Sequence, residues 1–92
     1  MPNLKFSYLY RDSSNYKNYG YVIIAAPANK TLEEIEGIIK AKLIDEQWFY
    51  TNEWQVPDLF FDCFNPNTDP KWHEFESIEF TDQEINCWIP IV

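Results

Sequence analysis

The residues that could carry out catalysis in this 92-residue chain are one histidine, two cysteines and a set of carboxylates. His73 precedes Glu74, and these types, together with a thiol, can form a Cys–His nucleophile pair. Cys63 lies in an apolar, acidic run and Cys87 in an apolar one, and neither setting lowers a thiol pKa. We therefore expect packed, reduced thiols and a histidine that bonds a neighbour. A small enzyme centred on His73 and Glu74 is the alternative.

The same residues do not form a metal-binding pattern. Structural zinc sites usually draw their four ligands from close pairs such as C-x₂-C, whereas Cys63 and Cys87 stand 24 positions apart. Asp62 and Cys63 are neighbours on a predicted strand, so their side chains point to opposite faces. No phosphate-binding loop, dinucleotide fingerprint or hydrolase motif is present. We expect neither a metal ion nor a cofactor.

Charge is unevenly distributed along the chain, whose net charge is −8. Residues 1–43 hold six basic and four acidic residues, whereas residues 44–92 hold eleven acidic residues and Lys71 alone. A field this negative repels phosphate backbones, so nucleic acid is a disfavoured partner. The acidic half is either a solubilising surface or a face offered to a basic partner.

The leading hypothesis is a non-enzymatic protein-binding module with a basic partner. Tyr and Trp dominate binding energy at interfaces, and carboxylates steer a basic partner towards its site. An acidic chain could also imitate the charge of nucleic acid and block a nucleic-acid-binding complex, as phage or mobile-element inhibitors do. The predicted partner-binding residues are Trp48, Trp54, Asp58, Asp62, Trp72, Glu74, Glu76 and Glu79.

The tyrosine-rich start of the chain offers another alternative. Strand tyrosines beside basic groups can stack bases, which would give single-stranded nucleic-acid binding. The competing interpretation is a hairpin whose rings pack on the core and whose hydroxyls contact water. The residues concerned are Tyr8, Tyr10, Tyr16, Tyr19 and Tyr21, with Lys5, Arg11 and Lys17.

The scaffold predicted for these residues is one α+β domain over residues 1–92, with one helix packed on an antiparallel sheet. Alternation predicts a strand over residues 4–11, and a hairpin joins it to an apolar strand over residues 19–26. Thr31-Leu32-Glu33-Glu34 is a capping box, which opens a helix with an apolar stripe.

The second half of the chain is predicted to add strands over residues 48–51, 58–64 and 72–80, giving the order β-β-α-β-β-β. The last strand changes phase, which a β-bulge near Glu76 resolves. Residues 85–92 suit either a strand or a helical turn. This apolar segment is a candidate for homodimer formation, because an uncovered edge strand invites pairing.

The start of the chain lacks the charged region and apolar run of a signal peptide. No stretch approaches the ~18 consecutive apolar residues of a membrane span. We therefore expect a cytoplasmic protein that makes no use of a membrane.

Several short motifs bear a resemblance to known sequences: Tyr10-Arg11-Asp12 with Asn15-Tyr16-Lys17, Leu32-Glu33-Glu34-Ile35, Val56-Pro57-Asp58-Leu59 and Trp72-His73-Glu74-Phe75. From about Leu4 to Thr81 the chain resembles a family of small, uncharacterised bacterial proteins. In such sequences an Asp-Gly turn often follows the helix, whereas Asp45-Glu46-Gln47 stands here. The resemblance implies a fold and a bacterial or phage-like source, and it implies no activity.

Overall fold

The computed structural model of the chain describes residues 3–27, 29–61 and 67–87. Within them the four strands form one antiparallel sheet in the order β2-β1-β4-β3. The α+β class is confirmed, whereas the predicted order of elements is not. The elements are β1 (Asn3–Arg11), β2 (Lys17–Ile24), α1 (Leu32–Lys42), β3 (Trp48–Phe49), α2 (Thr51–Trp54) and β4 (His73–Thr81).

The predicted hairpin of β1 and β2 is confirmed. Alternate residues of β1 are fully buried on one face of the sheet, from Leu4 to Tyr10. The turn closes on Asp12, whose Oδ1 accepts hydrogen bonds from the backbone N–H groups of Ser14 and Tyr16 at 3.0 and 2.9 Å. A short polar side chain therefore satisfies the turn backbone, as the sequence predicts.

The predicted capping box of α1 is also confirmed. Thr31 Oγ1 accepts from the backbone N–H of Glu34, and Glu34 Oε1 accepts from that of Thr31, each at 3.2 Å. Ile35 and Ile39 are fully buried in the same cluster as Phe6. The helix thus contributes to the core cluster that also contains the buried residues of β1.

The β-bulge near Glu76 is present in β4. Ser77 lies opposite Ser7 and Phe75 lies opposite Tyr8, so Glu76 is the extra residue. The bulge places Phe75 on the same face as Ile78, and both pack against the core.

Two predicted strands are wrong in extent or kind. β3 is limited to Trp48–Phe49, because the chain enters the short helix α2 at Thr51. Residues 58–61 form no strand, and residues 62–64 lie outside the described residues. Residues 56–61, here called the crossing segment, instead pass over the core face of the sheet.

Side chains from three strands hold the crossing segment. Tyr8 Oη donates to the carbonyl of Pro57 at 2.5 Å, and Asn18 Nδ2 donates to that of Leu59 at 3.1 Å. The backbone N–H of Leu59 donates to His73 Nε2 at 2.8 Å. These bonds satisfy backbone N–H and carbonyl groups that a strand would pair with a neighbouring strand, so the crossing segment need not join the sheet.

Gly20 makes room for the crossing segment, because a Cβ at this position would lie 2.9 Å from Leu59 Cδ2.

Residues 84–87, here called the C-terminal segment, adopt neither predicted structure and cover the outer edge of β2. The backbone N–H groups of Asn86 and Cys87 donate to the carbonyl of Ile23, and Asn86 Oδ1 accepts from the N–H of Ile23. Residues 88–92, the rest of the stretch predicted to form a homodimer contact, lie outside the described residues. No helix in the described part of the chain is long and apolar enough to cross a membrane.

Candidate functional site

Three predicted partner-binding residues, Trp48, Trp72 and Glu74, line one groove of about 700 Å³. The two indole rings lie 6.4 Å apart between centroids, with 60° between their planes. Trp72 is 42% exposed and Trp48 is half-buried. We call this feature the tryptophan groove, and its exposed indoles are of the kind that anchors protein interfaces.

Strand pairing fixes the position of the groove. Trp48 lies opposite Glu74 in the β3–β4 pair, and the backbone N–H of Phe75 donates to the carbonyl of Gln47 at 2.8 Å. Both indoles are therefore attached to paired strands, Trp48 within β3 and Trp72 one residue before β4. Side chains mounted in this way are positioned before a partner arrives.

An ion pair forms the polar side of the groove. Arg11 Nε lies 3.0 Å from Glu74 Oε2, and Arg11 also donates to Asn15 Oδ1 at 2.9 Å. The pair joins the end of β1 to the start of β4. Arg11 lines the groove although it was not among the predicted partner-binding residues. Only knowledge that β1 and β4 are neighbours could have identified it.

The opposite wall is formed by residues 67–71, which are held against the hairpin turn. Asp69 Oδ1 accepts from the backbone N–H and the hydroxyl of Ser13, at 3.1 and 2.7 Å. Tyr10 Oη donates to the carbonyl of Pro70 at 2.7 Å. Burial, then the carboxylates of Asp69 and Asp12, raises the pKa of Tyr10 to about 12, so this donor keeps its proton.

Asp58, a fourth predicted residue, lines a neighbouring groove of about 470 Å³. Tyr50 and Lys71 line both grooves, so the two are adjacent. The structure therefore brings Asp58 to the same end of the molecule as Trp48 and Trp72. Sequence reasoning missed Tyr50 and Lys71, since neither stands in a recognisable motif.

The remaining predicted residues do not join the groove. Trp54 is 3% exposed and packs on Phe6 and Phe49, so its assignment to a contact surface is wrong: its indole fills the core. Glu76 and Glu79 are exposed farther along β4. Asp62 lies outside the described residues.

His73 acts as a structural acceptor. The ring is fully buried among Tyr8, Tyr10 and Phe60, and Nε2 accepts the hydrogen bond of Leu59, which confirms a histidine that bonds a neighbour. Burial lowers its pKa to about 4, against a smaller opposing effect of the Asp58 carboxylate. Glu74 extends towards Arg11 on the other face of the strand, so His73 and Glu74 do not share a site.

Cys87 packs against the core and donates from Sγ to the carbonyl of Gln55 at 3.4 Å. Cys63 lies outside the described residues, so its packing stays a prediction. Within residues 3–27, 29–61 and 67–87, no three His, Cys, Asp or Glu residues form a group that could hold a metal ion.

Comparison of the chain with protein-family models, with curated proteins and with solved structures finds no match in any of the three. The resemblance to small bacterial proteins therefore stays a prediction.

The tyrosine-rich hairpin is divided between the core and the surface. Tyr8 and Tyr10 are buried, and their hydroxyls are bonded to carbonyls of the chain. Tyr16, Tyr19 and Tyr21 are at least half exposed. The predicted stacking surface is thus reduced to three rings.

Proposed function

We propose that this chain is a non-enzymatic protein-binding module that contacts its partner through the tryptophan groove. The supporting observation is that Trp48 and Trp72 lie together and partly exposed, Trp48 in β3 and Trp72 one residue before β4, the strand with which β3 pairs. Trp is enriched among the residues that dominate interface energies, and a pre-positioned ring loses little conformational entropy on binding.

The proposed partner carries a basic surface. The chain has net charge −8, and Asp58 is exposed beside the groove. Glu74 and Glu79 contribute less to steering, because Arg11 and Lys5 lie 3.0 and 3.5 Å from their carboxylates. Imitation of nucleic-acid charge needs a row of unpaired carboxylates, whereas Glu74 and Glu79 are paired with Arg11 and Lys5. This more specific form of the hypothesis is therefore not part of the proposal.

The experiment that tests the proposal compares two aromatic variants. Immobilised protein first captures a partner at low and high salt, and the purified partner is then titrated against variants that keep the fold. Trp72→Ala should weaken binding by roughly 30-fold, the effect of losing one central interface anchor. Tyr21→Ala removes an exposed ring from β2, which lies at the opposite edge of the sheet from β3, and should leave the affinity unchanged. Equal affinities for both variants would contradict the proposal.

Single-stranded nucleic-acid binding is the second candidate, favoured by one specific observation. Tyr19 and Tyr21 are 57% and 50% exposed on the open face of β2, and Lys5 Nζ lies 4.4 Å from the centre of the Tyr21 ring. Glu79 pairs with Lys5 and reduces the positive potential there. Under this alternative, Glu79→Lys should strengthen binding of a labelled oligonucleotide and Tyr21→Ala should abolish it.

A further inference from the structure

The outer edge of β4 is open beyond its bulge. The residues of β4 that pair with β3 are His73 and Glu74, and the N–H of Phe75 reaches the carbonyl of Gln47. Residues 76–81 then continue with no strand on the side away from β1, within the part of the chain that the structure describes. An unpaired strand edge is a template for another strand.

The pairing pattern shows which backbone groups face outwards. The backbone N–H and carbonyl of Ile23 are hydrogen-bonded to the C-terminal segment, so both groups point away from β1. Ile23 and Lys5 therefore face each other as a non-hydrogen-bonded pair of the β1–β2 ladder. The backbone groups of Lys5 therefore face its other partner, Glu79. Since direction alternates along a strand, the N–H and carbonyl groups of Ile78 and Phe80 point to the open edge.

We propose that this edge binds an extended segment of a protein partner, with lysine or arginine at alternate positions, as an additional strand. Glu76 and Glu79 are exposed on the edge strand, and Phe80 offers an apolar ring that is 42% exposed. From residue 72 to the end of the sequence there is no lysine or arginine. Basic side chains on an added strand would thus meet Glu76, and also Glu79, whose carboxylate lies 3.5 Å from Lys5 Nζ.

The same charges disfavour a second copy of this chain. Two antiparallel copies of β4 would bring the glutamates of one copy close to those of the other, and facing like charges destabilise a strand pair. Acidic side chains on an edge are one means by which proteins prevent self-pairing. This inference rests on the proposed function for the class of partner, but it uses a surface separate from the tryptophan groove.

The test uses the full chain and a synthetic ten-residue peptide in which lysine alternates with valine and threonine. Amide hydrogen exchange is followed by NMR with and without the peptide at low salt. The amides of Ile78 and Phe80 should exchange freely alone and at least tenfold more slowly with saturating peptide. The amide of Glu79 already faces β1 and should change little.

A matched pair of charge reversals tests the choice of occupant. Glu76→Lys should weaken peptide binding about threefold to tenfold. Glu33→Lys makes the same change of net charge on α1 and should leave the affinity within twofold. Thermal unfolding shows that both variants are folded.

Three results would overturn the edge proposal: no binding of the peptide at low salt, binding without slower exchange at Ile78 and Phe80, or slowing caused by higher protein concentration alone. The last result would assign the edge to a second copy. Failure of the tryptophan groove proposal would be seen separately, as an unchanged affinity of the Trp72→Ala variant for the partner. That outcome would not alter the amide exchange result.

Discussion

The backbone N–H of Leu59 donates to Nε2 of His73 over 2.8 Å, and this bond ties the crossing segment to the first residue of β4. His73 stands between Trp72 and Glu74, both of which line the tryptophan groove. A buried, neutral imidazole therefore supports the groove from behind. Its role is to hold the backbone in place, because the atom that could act as a base is already an acceptor.

The burial of His73 predicts that stability depends on pH. Burial lowers its pKa from the ordinary 6.5 to about 4 in the folded chain, so between these pH values the unfolded state binds more protons. Stability should fall as pH decreases from 6.5 to 4, by up to roughly 3 kcal/mol from this group. Urea denaturation across this range measures the effect. His73→Gln should be less stable at pH 7 and lose this part of the slope, whereas an unchanged slope would contradict the assignment.

The turn that precedes β3 predicts a stabilising substitution. Asp45 and Glu46 both have positive φ, 50° and 61°, in a tight turn closed by the N–H of Gln47 on the carbonyl of Ile44. Glycine adopts this conformation without the steric cost that a Cβ brings. Glu46→Gly should therefore raise the free energy of unfolding by ~0.5–1 kcal/mol, measured in urea. Gln47→Gly is the control, and equal stability changes in the two variants would argue against the turn geometry.

The two tryptophans Trp54 and Trp72 should differ in their contribution to stability. Trp54→Ala removes a buried indole and should cost about 3–5 kcal/mol. Trp72→Ala removes a partly exposed one and should cost about 1 kcal/mol or less. Thermal and urea unfolding measure both, and Trp54→Phe should recover part of the loss. Similar costs at the two positions would mean that Trp72 belongs to the core.

The ion pair of Arg11 and Glu74 should couple the hairpin to β4. The two side chains are 40% and 22% exposed, so the interaction is partly screened and worth about 1 kcal/mol or less. A double-mutant cycle with Arg11→Met and Glu74→Gln measures it in urea. A coupling energy near zero would show that the pair contributes nothing to the groove wall.

Local patterns were sufficient to predict the first half of the fold. The alternation in β1, the polar turn at Asp12 and the capping box of α1 each depend on neighbours within a few residues. The bulge at Glu76 was also predictable, because it shows as a change of phase within one strand.

The crossing segment could not be predicted in the same way. Its apolar run resembles a strand, and its path depends on Tyr8, Asn18 and His73, which are distant in sequence. The tryptophan groove could not be predicted from local patterns either, because its residues come together only when β1 lies beside β4. Composition likewise gave no means of distinguishing Trp54 from Trp72, because burial of Trp54 depends on the short helix α2.

The most direct test of the tryptophan groove is NMR of the indole N–H groups while the purified partner is added. Four tryptophans give four assignable signals, and Trp54 serves as an internal control because it is buried in the core. We predict that the signals of Trp48 and Trp72 move or broaden and that the signal of Trp54 stays in place. Binding at saturation with the signals of Trp48 and Trp72 unmoved would contradict this prediction.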